Sequence, residues 1–319
     1  MPPRAFITMT KGVKQNRPVR ASKKLSLKYR GIVQKTRKRY EAQLKIFFKY
    51  LSAYGHKIPK SWRKFDRVVA EYIDYMFQEE TPVAYAGDLL SGLARWVPGS
   101  RSNLPTARLW FRNWLREVIR QRALPMPLFV LNGIAGLALA MERLDLAALL
   151  PLAFVCMLRT SEIYSLRKSD VAFSPSRGSA IIALRQTKTS GPNTEECVLH
   201  DPYVVKALAQ LCEKRTTDQL LYSRPAKFLS EDLKWLCKLV GFSHSRLTPY
   251  SLRRGGATWH MHTFGSLSTT ALLGRWRQER TAKIYIDGAA AEWASWQFSE
   301  EAQKMLQRGT KIFKRKFAR

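Results

Sequence analysis

The sequence predicts a mainly α chain with one small β-hairpin, an α+β fold in two domains. Three observations predict it. Apolar residues recur at helical spacing through most of the 319 residues. One stretch, Ser179 to His200, departs from that period: Ser179 to Leu184 is β-branched and apolar, Gly191-Pro-Asn193 turns, and Glu196 to His200 returns. Finally, Leu124-Pro-Met-Pro127 interrupts two apolar regions, since each proline restricts the residue before it. A chain of this length accommodates two such domains.

Taken in order, residues 1 to 40 hold thirteen Lys or Arg and no carboxylate. Residues 1 to 25 have too little apolar content to fold and read as a disordered basic arm. From Ser26 a helical stripe of Thr36, Tyr40, Leu44, Phe47, Phe48 and Leu51 emerges, with Lys35, Arg37, Lys38 and Arg39 forming a basic run on that helix. Further helices are expected over Phe65 to Gln78, Pro82 to Arg95 and Thr106 to Arg122, which completes a helical bundle over 26–122. After a linker at 123–127, Leu128 to Leu158 reads as two buried helices opening a second domain at 128–290. Asp201 to Leu211 and Ser230 to Val240 are two more helices. Residues 291–319 form a tail in which Trp293, Trp296, Phe298, Met305 and Leu306 lie on a helix-like pattern before a basic end.

The most informative stretch is Thr248 to Asp287. Thr248-Pro249 is a helix start, because Thr caps free amides and Pro has none to lose. Arg253 then lies about one turn inside. Gly255, Gly256 and Ala257 lack bulk and let another backbone approach, and Gly265 is a C-terminal stop. Ser268 is expected to cap the next helix, which breaks at Gly274. The turn carrying Arg275, Arg277 and Arg280 leads into TAKIYI and Tyr285. An arginine and a phenol brought together by two helices and a turn make a phosphate clamp with a nucleophile beside it.

Composition sets the partner class. The apolar fraction is 45% and the net charge is +31. Such an excess repels itself unless a polyanion relieves it, so nucleic acid is the first partner to expect. The longest apolar run, Leu146 to Leu158, is too short to span a bilayer, and no apolar core follows Met1 as in a secretory signal. Cys156, Cys197, Cys212 and Cys237 show no CxxC spacing and read as reduced, mostly buried thiols of an intracellular protein. No metal or other cofactor is called for: His260 and His262 point to different helix faces, and no P-loop, GxGxxG or paired-carboxylate motif occurs.

Arg159 ends an apolar helix, with Glu162 three residues on to orient it. Alone, that spacing also describes an ion pair decorating a helix end, and Lys188 alone is an ordinary solvated hairpin lysine. Together, Arg159 followed by T-S-E, Lys188 in Q-T-K-T, Tyr250-S-L-Arg253, Trp276 and Tyr285 nine residues later resemble the active-site series of the tyrosine recombinases, or phage integrases. The segments R-R-G-G-A and R-T-A-x-I-Y are similar to recombinase-like proteins of eukaryotic mobile elements. The resemblance implies a helical core-binding domain and a catalytic domain that form a clamp on double-stranded DNA. It implies strand breakage and rejoining through a 3′-phosphotyrosyl link at Tyr285, with Arg159 and Arg253 on the phosphoryl oxygens, Lys188 as general acid, Trp276 and Tyr250 as donors and Glu162 orienting. Lys35, Arg37, Lys38, Arg39, Arg275, Arg277 and Arg280 are the expected DNA contacts.

Tyr250 and Trp276 stand where the family usually has histidines, which leaves open a domesticated or catalytically weakened DNA-binding protein; a type IB topoisomerase-like enzyme is a third reading. A recombinase is expected to assemble as a tetramer on DNA, with the tail docking into a neighbour. KTRKR at 35–39 reads as a nuclear import signal if the host is eukaryotic.

Overall fold

The computed structural model describes residues 31–55, 58–118, 122–176, 178–184, 195–242, 247–296 and 298–318. The expected basic arm at 1–25, the hairpin turn and Lys188 lie outside the described residues. The chain divides into two compact units, 1–120 and 121–319.

The first unit contains α1 (Gln34–Ala53), α2 (Trp62–Gln78), α3 (Val83–Trp96) and α4 (Pro105–Glu117), with α1 packed on α3 and α2 on α4. Its core is built from Phe47, Leu51, Val69, Ile73, Leu89 and Leu93, all essentially buried. Phe48, expected on the buried stripe of α1, is instead exposed. The helix is therefore clamped through Phe47 and Leu51, one turn apart. Asp66 is buried because it serves the neighbouring helix: its two carboxylate oxygens accept from Thr106 N and Ala107 N at 3.0 Å each, capping the free amides at the start of α4.

The second unit opens with Leu124 to Pro127. Leu124 and Met126 are buried there, and Met126 N donates to Ser251 O at 3.0 Å, so this stretch is built into the core rather than running over a surface. Helices α5 (Leu128–Ala140) and α6 (Leu144–Val155) follow, then the short α7 (Thr160–Ser165). A third strand extends the expected hairpin into a small sheet. A three-residue strand β1 (Val171–Phe173) precedes β2 (Ala180–Leu184) and β3 (Glu195–Leu199), in an antiparallel sheet of order β1-β2-β3 with Ile182 opposite both Val171 and Cys197. Next come α8 (Pro202–Glu213), α9 (Leu229–Leu239), α10 (Pro249–Phe264), α11 (Leu267–Leu273), α12 (Glu279–Lys283), α13 (Gly288–Trp296) and α14 (Glu300–Phe317). All four cysteines are free and buried. No helix among the described residues is long and apolar enough to cross a membrane.

One local expectation is corrected. The cap of α11 is Ser266, whose hydroxyl accepts from Thr269 N at 3.2 Å; Ser268 lies within the helix. Gly265 stops α10 in the left-handed conformation at φ 68°, so the cap follows at once.

The tail forms two helices, α13 and α14. Trp293 and Trp296 on α13, the residues expected to dock into a neighbour, are exposed, while α14 packs on α5 of its own unit with Leu306, Phe313 and Phe317 buried. That contact is close because glycines face each other: a Cβ on Gly136 would overlap the Gly309 carbonyl, and one on Gly133 would overlap Leu306. Gly136→Ala should therefore destabilise the protein by about 1–3 kcal/mol through overpacking against rigid backbone, read as a lowered midpoint in urea denaturation.

Candidate active site around Tyr285

Helix α10 places Arg253. The helix starts as the Thr248-Pro249 sequence predicts, with Thr248 N donating to Ser251 Oγ at 2.9 Å. The glycines after the arginine have the predicted use: a Cβ on Gly255 would strike the Met126 carbonyl, and one on Gly256 the Phe154 carbonyl. This close approach sinks Arg253 into the protein, to 1% exposure. Its Nη1 donates to Met157 O and its Nη2 to Gly274 O, the latter at 2.6 Å. The guanidinium lies 4.4 Å from the Trp276 ring centroid and 5.5 Å from that of Tyr285. Burial, then the charges of Arg275 and Arg159, push its pKa down to about 10. It remains a cation at neutral pH, held in a place where positive charge is costly.

Tyr285 follows α12, its amide donating to Ala282 O at 2.9 Å. Its own carbonyl accepts from Arg254 Nε at 3.5 Å and Thr258 Oγ1 at 3.3 Å, both on α10. The ring stands 4.5 Å from Trp276 and 5.5 Å from Tyr250, centroid to centroid. Burial alone would push the phenol up, but the hydrogen bond with Tyr250, Trp276 and the Arg253 guanidinium outweigh it and hold it below the ordinary tyrosine value. Tyr250 moves the opposite way, raised by burial and then by its hydrogen bond to Tyr285. The Trp276 N–H is near enough to contribute, yet it makes no hydrogen bond of normal geometry and is a buried donor with unused capacity. Tyr250 and Arg253 therefore carry most of the effect.

Arg159 caps the start of α7. Its amide donates to Glu162 Oε2 at 2.8 Å and its Nη1 to Glu162 Oε1 at 2.6 Å, so the predicted orienting contact is present. Nη1 also meets Glu195 Oε2 at 3.2 Å.

The structure separates the three arginines expected on DNA. Arg277 and Arg280 are exposed. Arg275 is turned inward, because its backbone adopts φ 57°, a left-handed conformation that non-glycine residues hold only when their surroundings impose it. Its guanidinium donates to Cys156 O at 3.0 Å, Met157 O at 3.3 Å and Glu162 Oε2 at 2.8 Å. It is thus a buried cross-link between two loops and not a surface contact. In the first unit, Lys35 and Lys38 are exposed, while Arg39 forms a two-pronged pair with Asp88 at 2.7 and 2.8 Å and Arg37 approaches Glu41 at 3.7 Å.

Two participants escaped the sequence reading. Arg254 anchors the tyrosine loop: its Nη1 donates to Ala123 O, and its Nη2 meets Asp287 Oδ2 at 3.3 Å. The doubled arginine before Gly255 was the available signal, since neighbours on a helix point to different sides. Glu195 gave none, because its partners come from distant segments. Among the described residues, no group of three or more His, Cys, Asp or Glu could hold a metal ion. His260 is buried against Thr270 Oγ1 at 2.8 Å and His262 is exposed.

With the site in view, the fold, a helical bundle followed by an α+β unit ending in the tyrosine segment, is similar to that of solved integrases. The transposon Tn1549 integrase, residues 82–397 in complex with circular intermediate DNA, matches at a TM-score of 0.57 with 14% identity, over 84% of this chain and 95% of that one. The same integrase with transposon right-end DNA matches at 0.54 and 12%, over 83% and 94%. A lambda integrase (75–356) dimer bound to a COC′ core site matches at 0.52 and 16%, over 83% and 93%. Neither protein-family models nor curated sequences match the chain. The likeness resides in the fold.

Two outcomes check this geometry. Glu162→Ala leaves the buried Arg275 and half-buried Arg159 short of their shared carboxylate and should destabilise the protein by about 3–5 kcal/mol in denaturant unfolding. In a spectrophotometric pH titration, the phenolate signal lost in Tyr285→Phe should rise below pH ~10, the value of a free tyrosine.

Proposed function

We propose that this chain breaks and rejoins DNA strands through a covalent link at Tyr285. The observation that carries the reading is the Tyr285 phenol packed against the buried Arg253 guanidinium and Trp276, with its pKa lowered. The phenolate oxygen attacks a DNA phosphorus, the bond to the 5′-oxygen breaks, and a 3′-phosphotyrosyl ester and a free 5′-hydroxyl result. The reverse attack by a 5′-hydroxyl rejoins a strand. One phosphoester replaces another, so no ATP is consumed.

Charge accumulates on the nonbridging oxygens as phosphorus becomes five-coordinate. Arg253 and Arg159 supply planar donor forks there, and the unused Trp276 N–H supplies a further donor. The resemblance assigns protonation of the leaving oxygen to Lys188. Tyr250, kept neutral by burial and by its hydrogen bond to Tyr285, donates to the phenolate oxygen and favours the charged nucleophile; it is not the acceptor of the Tyr285 proton. Glu162 holds Arg159 and does not react. Lys35 and Lys38 on α1, with Arg277 and Arg280, contact backbone phosphates, and two or more copies assemble on the duplex.

One observation favours a second reading. Tyr250 and Trp276 put no imidazole beside Tyr285, so a titratable base near neutral pH is missing from the described site. A protein that holds DNA and cuts it slowly or not at all fits that feature.

The two readings separate on nicked duplexes with a randomised core, where cleavage releases a short 5′-hydroxyl strand and traps the protein. The strand-transfer reading expects DNA covalently attached to wild type under denaturing conditions, none with Tyr285→Phe, and at least about a hundredfold less with Arg253→Lys, which loses the fork. Retained binding without any adduct in the wild type would leave only the binding reading. In either case affinity should fall steeply with salt, as log K against log salt with a slope near −0.9 per phosphate contacted.

A further inference from the structure

Four side chains around the first arginine form a closed ring of alternating charge. Glu162 joins Arg159 at 2.6 Å to Arg275 at 2.8 Å; Glu195 joins the same two arginines, Arg159 Nη1 at 3.2 Å and Arg275 Nε at 3.3 Å. Two cations and two carboxylates cancel, which leaves Arg253 as the uncompensated cation next to Tyr285. The ring members come from three places. Glu162 belongs to α7 and Arg159 caps it, Glu195 begins β3, and Arg275 sits in the turn before Trp276.

We propose that Glu195 and Arg275 are positioning residues for Arg159, closing this ring so that its guanidinium meets the phosphoryl group in one orientation. The proposal rests on the strand-transfer reading above. Glu162 alone cannot supply that frame, because it lies in the first turn of the short helix that Arg159 caps and moves with it. Glu195 ties Arg159 to the sheet. Arg275 ties the ring to the Cys156 and Met157 carbonyls, and Met157 O also accepts from Arg253 Nη1. The two phosphate-binding arginines are thereby registered against each other through one carbonyl and one guanidinium. The left-handed backbone of both Met157 and Arg275, φ 46° and 57°, has the same origin: each is held by these contacts in a conformation it would not choose alone.

A positioning role and a DNA contact differ in what they change. On the nicked duplex selected for adduct formation, Glu195→Gln and Arg275→Gln should each slow the rate of adduct formation per active molecule about tenfold or more, as a displaced catalytic group does. Neither should lower DNA affinity or its salt slope, whereas Arg277→Gln should flatten that slope by about one phosphate. The double variant should react no slower than the worse single one, since both act through one ring. A flattened slope for Arg275→Gln, an unchanged rate for Glu195→Gln, or fully additive rate losses would each overturn the proposal. A faster Glu195→Gln enzyme would do so too, by making Glu195 a competitor of the phosphate.

If the wild type forms no adduct, the strand-transfer reading fails first, and the ring is judged by unfolding alone. Coupling between Glu195→Gln and Arg275→Gln in a double-mutant cycle supports it, and additivity overturns it.

Discussion

The site depends on one costly arrangement, a guanidinium buried to 1% exposure with its donors on two backbone carbonyls and its face against aromatic rings. A buried charge persists only where it is hydrogen-bonded or paired and its surroundings are fixed. Arg253 is held through Nη1 on Met157 O and Nη2 on Gly274 O, which join the segment after α6 to the turn at Gly274 and set it beside Trp276 and Tyr285. The glycines after it are the steric condition: without side chains at 255 and 256, α10 approaches the Met126 and Phe154 carbonyls closely enough to carry the arginine inside.

Charge in the rest of the site is arranged around that cation. The neighbouring arginines are neutralised in pairs by Glu162 and Glu195, so the field at the phenol comes chiefly from Arg253. Desolvation opposes the phenolate, and the hydrogen bond with Tyr250 and the guanidinium outweigh it. The same guanidinium that favours the phenolate is suited to favour charge on a phosphoryl group, which is why one residue serves both tasks in the reading proposed here.

The two units divide the work of holding the chain's excess charge. In the first, Arg39 and Arg37 are matched by Asp88 and Glu41, while Lys35 and Lys38 face solvent. In the second, arginine is used inside, at 159, 253, 254 and 275, and the exposed basic residues include Arg277, Arg280, several lysines from α8 to α12, and others along the tail. The +31 balance is therefore a surface property only in part.

Much of this was legible from residue types alone. Helix starts at Thr248-Pro249, the stop at Gly265 and the room at Gly255 and Gly256 follow from local backbone chemistry, and local chemistry is what a sequence states. The meeting of Arg253 with Trp276 and Tyr285 was legible because only two short helices and a turn separate them. Other features were decided by tertiary structure. Arg275, Arg277 and Arg280 look alike in a polar turn, and only a left-handed backbone at one of them, held by carbonyls over a hundred residues away, sends it inward. Glu195 acquires its partners because the strand it begins starts beside α7, and the tail finds α5 because glycines from both helices happen to face each other. Sequence fixes which groups are available and how each short segment turns; long-range contact decides which of them meet, since that depends on packing and not on spacing along the chain.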